Sequence, residues 1–131
     1  MNKYTVSARG KDVPGPNLII GIIAALSCYI CFLPIFLIDI FIWLFQNIYF
    51  RVFEIPLIHR KKYVVLDRYK LWKLTFWQRF NCFYCEYANG VVAFAKAVVN
   101  QMELYSYAIK HDHHPLGQDH QKDFFERKNF E

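Results

Sequence analysis

At 131 residues the chain is long enough for one modest domain, which excludes a large enzyme. Hydrophobic residues make up 55 % and aromatic residues 19 %, yet charged residues still make up 21 %, so the apolar excess must be local. The formal charge of +5 is spread unevenly: residues 1–16 contribute +2, residues 17–50 carry only Asp39, residues 51–110 set ten Lys and Arg against four acids, and residues 111–131 contribute −2.

Residues 1–16 read as a polar arm, because Pro14, Gly15 and Pro16 oppose regular structure just before the apolar run. Residues 17–50, NLIIGIIAALSCYICFLPIFLIDIFIWLFQNIYF, are expected to be the membrane-embedded helical region. The run greatly exceeds a signal-peptide core, and no small-x-small site closes it, so it reads as an anchor rather than a cleaved leader. As one straight helix it would reach about 51 Å, against about 30 Å of hydrocarbon. Pro34 removes a backbone donor and Asp39 follows soon after, which predicts a break near Pro34.

Two architectures remain open. In one, a spanning helix from about Asn17 to Ile38 is followed by an interfacial helix whose Trp43, Gln46, Asn47 and Tyr49 sit among headgroups. In the other, two half-length helices form a re-entrant hairpin bent at Pro34, which suits the basic residues on both flanks. Gly21, Ala25 and Cys28 give the run a small-residue face of the kind that lets a partner helix approach closely, so Gly21→Leu is expected to weaken association. Asp39 is the one charge in the run. At depth a carboxylate costs several kcal/mol unless paired, so it marks the interface, pairs with a partner subunit, or lines an ion path.

Residues 51–110 read as a basic, amphipathic helical region. Arg60, Lys61, Lys62, Arg68, Lys70 and Lys73 are candidate ligands for anionic lipid headgroups, at roughly 1 kcal/mol per well-placed cation, and lipid ranks ahead of nucleic acid as their partner. Asp67 can open a short helix, and Thr75 can cap a long one from about Phe76 to Lys110, along which Phe80, Tyr84, Tyr87, Val91, Phe94 and Val98 recur at helical spacing. Asn89 and Gly90 interrupt that pattern. They predict either a tight turn or a close backbone approach on a continuous or kinked helix, and the second is preferred. Residues 111–131 form a polar, His-containing tail with a last amphipathic turn around Phe124 and Phe125.

Cys82 and Cys85 form a Cys-x-x-Cys pair whose thiols share a helix face. With His111 and His113 they could complete a Cys2His2 site for zinc or iron, provided the helix turns back near Gly90. The plainer reading is two small residues in a packing seam. No nucleophile–base pair, phosphate-cradling loop or acidic dyad can be assembled, so an enzyme is not expected.

Asp67-Arg68, then Asn81-Cys82-x-Tyr84-Cys85-x-Tyr87-x-Asn89-Gly90, Glu103 and Ile109-Lys110-His111 together resemble a family of small bacterial membrane proteins with no assigned activity. The resemblance covers most of residues 30–111. It implies an apolar N-terminal region leading into the cysteine pattern, with a further Cys where this chain has Tyr107. A member lacking that thiol would lack one ligand of a three-thiol, one-histidine metal site.

The expected fold is an all-α membrane protein: an N-terminal apolar helix or broken hairpin, followed by amphipathic helices packed on the membrane or on a partner. The expected role is a small accessory or assembly subunit of a larger membrane complex, in contact with lipids and with other subunits or copies of itself. The alternatives are a membrane-tethered metal- or thiol-binding protein using Cys82 and Cys85, or a lipid-reading adaptor using residues 60–79. The expected location is a bacterial inner membrane with the C-terminal part cytoplasmic.

Overall fold

A computed structural model describes residues 17–131, so the polar arm and its Pro-Gly-Pro sequence lie outside the described residues. Within them the chain is helical and contains no strand: α1 spans Leu18–Ile30, α2 Phe32–Phe45 and α3 Phe76–Ser106, with a π turn at Gln46–Phe50 and short 3-10 turns elsewhere. Asn17 caps α1, its side-chain oxygen accepting from the Ile19 N–H at 3.4 Å. The segment Leu18–Phe50 is one helical run of 33 residues, long and apolar enough to cross a membrane by length and composition.

Of the two architectures left open, the re-entrant hairpin at Pro34 is not formed. The helical ladder is interrupted only at Cys31, which keeps right-handed helical dihedrals (φ −64°, ψ −18°), so the chain continues in the same direction. Pro34 is the third residue of α2, in the first turn, where a missing N–H is tolerated, and the Ile35 N–H still reaches the Cys31 carbonyl at 3.2 Å.

Polar and ring contacts place α3 beside this run, pointing the same way. Cys28 and Tyr29 meet Tyr84 and Asn81, Asp39 meets the Tyr87 hydroxyl, and Tyr49 meets Ser106, so from one level to the next the numbers rise together on the two helices. Parallel neighbours need a connection about as long as the helices, and residues 51–75 supply it by running back along both. Its order of contacts is antiparallel to both: Ile55 to Phe50, Ile58 to Gln46, Arg60 to Asp39, Arg68 to Glu86, Leu71 to Arg79.

Local chemistry fixes each piece. Thr75 and Gln78 form a reciprocal capping box that starts α3 where the Thr75 reading placed it. The helix is continuous through Asn89–Gly90, and Gly90 is where a backbone crosses: a Cβ there would stand 2.8 Å from both the Tyr63 carbonyl oxygen and the Val64 Cα. Gln46, expected among headgroups, is buried instead. Its amide oxygen accepts from the Ile58 N–H at 2.8 Å and its amide nitrogen donates to the Ile58 carbonyl at 3.1 Å, so a side chain does the work of a strand pair for the returning segment.

The core gathers at the C-terminal ends of the two long helices. Phe50, Ile55, Phe94 and Val98 are buried together, with Ile42, Phe45, Ile58 and Met102 against them. The tail closes this end: Phe124 and Gln121 are buried, and the Phe125 and Lys110 N–H groups bond the Ala108 and Phe125 carbonyls.

Candidate functional site

Asp39 is the centre of the polar chemistry. It sits on the face of α2 turned toward α3 and the return segment, where the Arg60 guanidinium grips it through Nε to Oδ1 at 2.9 Å and Nη2 to Oδ2 at 2.7 Å. The Tyr87 hydroxyl donates to the same Oδ2 at 2.8 Å. Three elements therefore meet on one carboxylate, and the charge that an apolar run tolerates poorly is matched inside the chain itself. Burial, reinforced by the bond to Asp39, pushes the Tyr87 hydroxyl up to about 12, so it remains a donor across the physiological range.

A second pair lies further along the return segment. Glu86, buried on α3, accepts from the Arg68 backbone N–H at 3.0 Å and forms an ion pair with the Arg68 guanidinium, Nε to Oε1 at 3.2 Å. Arg60 and Arg68, both read as headgroup ligands, are thus engaged within the fold. Lys61, Lys62, Lys70 and Lys73 are exposed, and the Lys73 ammonium lies 5.4 Å from the Trp72 ring centre.

The thiols are grouped in an unexpected way. The Tyr84 hydroxyl donates to the Cys28 carbonyl at 2.6 Å, and the Tyr29 ring lies tilted against Phe80 and edge-on to Tyr84, so Cys28 and Cys31 stand at the level of Cys82 and Cys85. Burial raises the Cys85 thiol above its ordinary range, and the neighbouring Cys28 and Cys82 push it the same way. All four are free thiols. The Cys82–Cys85–His111–His113 set is not brought together: α3 does not turn back at Gly90 but runs on to Ser106 before the histidine-bearing tail begins. No group of three or more metal-type ligands is assembled among the described residues.

Gly21 is half-buried, and Ala25 and Cys28 are exposed, on a helix none of whose residues is buried. Sequence reading named Tyr84, Tyr87, Gln46 and Glu103 without their polar partners and did not single out Glu86 or Gln121; Gln121 joins Glu103 at 2.6 Å, with His120 Nε2 lying 3.4 Å from the same Glu103 oxygen. The signal for Tyr87 was its place on the apolar stripe of α3, where a hydroxyl needs a buried partner. No family model, curated protein or solved structure matches the chain.

Proposed function

We propose that this chain is a membrane-anchored, non-catalytic accessory or assembly subunit, held at the cytoplasmic side of a bacterial inner membrane. The observation that carries the reading is α1: thirteen mostly apolar or small residues form a regular helix of which none is buried, and its polar contacts to α3 begin only in its last turn, at Cys28 and Tyr29. A helix that contributes nothing to its own core, yet is apolar all round, supports a role in contact with lipid and other subunits. Gly21 and Ala25 supply the small face for a partner helix.

Native mass spectrometry after mild detergent extraction tests this. Co-release of other subunits or further copies is expected, weakened by Gly21→Leu; a lone monomer would overturn it. The grouping of Cys28 and Cys31 with Cys82 and Cys85 favours one second reading, a membrane-tethered thiol protein. Stoichiometric metal or an inter-helix disulfide in the extracted chain, lost on Cys85→Ser, would decide for it.

A further inference from the structure

The run Leu18–Phe50 has two unlike faces, and they are made by packing rather than by composition. At 100° per residue, Ile19, Ile23, Leu26, Leu33, Leu37 and Leu44 fall in one narrow stripe, and all are exposed. The stripe continues to Ile48, so it runs for about 44 Å. On the opposite side stand Cys28, Asp39 and Gln46, which face α3 and the return segment. Extended into α1, that side carries the small residues Gly21 and Ala24, while the exposed Leu18 and Ile20 lie on the two flanks, each about 100° from the centre of the stripe.

An upright crossing fits this arrangement poorly. With Leu18 at one edge of about 30 Å of hydrocarbon, the other edge falls near Ile38, and α3 lies alongside from Tyr29 on. Arg79, the paired Arg68 and Glu86, and the capping box of Thr75 and Gln78 would then be immersed. Stopping the helix halfway would leave the charged arm of residues 1–16 at the bilayer centre. Lying flat removes both conflicts: the stripe meets acyl chains, α3 and the return segment face water, and the basic residues on either flank stay at one surface.

We infer that the Leu18–Phe50 helix lies in the plane of one leaflet on its Ile19–Ile48 stripe, so that the chain is monotopic and docks on an anionic lipid surface without crossing it. The inference rests on the membrane reading above. The test adds purified full-length protein to preformed sealed vesicles of phosphatidylcholine and phosphatidylglycerol, floats them, and treats them with external trypsin. Flotation with cleavage at both Lys3–Lys11 and Lys122–Lys128 is expected; flotation with either end protected until detergent is added overturns the inference while leaving membrane anchoring intact. Protein that stays off the vesicles overturns both, and if it is then a dimer the stripe belongs to a second copy. Two variants on the unburied α1 separate the orientations: Leu26→Lys, on the stripe, lowers vesicle partition roughly tenfold, whereas Ala24→Lys, about 160° away, changes it by less than about twofold. Equal losses for the two would mean that lipid surrounds the helix, and would also overturn the inference.

Discussion

The guanidinium of Arg60 closes on both carboxylate oxygens of Asp39, at 2.9 and 2.7 Å, and in doing so ties the return segment to the apolar helix. Because Arg60 is 39 % exposed and Asp39 only 14 %, removing the arginine leaves the more buried partner unmatched. Arg60→Ala is expected to cost about 1–2 kcal/mol, the exposed side discounted for solvent screening. The double variant Asp39→Leu/Arg60→Leu should recover most of it. Thermal melts in mild detergent check both; a double variant as unstable as the single would count against the pair.

Tyr87 gives this node a pH dependence. Its folded pKa of about 12 lies above the ordinary 10, so the stabilisation by the neutral hydroxyl is complete below pH about 10 and disappears as the pH rises toward 12. Ultraviolet titration should find a tyrosine ionising late, and Tyr87→Phe should abolish that late step. The same variant loses about 1–2 kcal/mol through its missing bond to the carboxylate.

Gly90→Ala sets two effects against each other. Alanine in a helix interior gains up to about 1 kcal/mol over glycine, while the new methyl would sit 2.8 Å from backbone atoms of Tyr63 and Val64 and force the return segment outward, at about 1–3 kcal/mol. Net destabilisation is expected, with faster tryptic cleavage at Lys61, Lys62 and Arg68. Unchanged cleavage would mean that the return segment yields without cost.

Gln121 anchors the tail. It is 1 % exposed, and its amide nitrogen donates to Glu103 and to Gln118, each at 2.6 Å. Gln121→Ala should cost about 1–3 kcal/mol and speed proteolysis at Lys122, while the α3 helicity measured by circular dichroism stays nearly constant.

What the residues alone determined was local. The apolar run, the Thr75 cap and the continuity of α3 each depend on side chains within a few positions of one another, where period and capping chemistry act directly; Gly90 permitted a close approach, and the fold supplied Tyr63 and Val64 to make it. Tertiary structure alone decided that the long helices run parallel, that Asp39 finds Arg60 and Tyr87, that Gln46 is buried on Ile58, and that the cysteine and histidine candidates part while Cys28 joins Cys85. Those partners are separated by 12 to 57 residues along the chain. Which of them meet depends on the path of residues 51–75 and on the face that α3 presents. No short window of sequence contains either, and so the apolar run, plain in composition, acquires two different faces only after α3 has covered one of them.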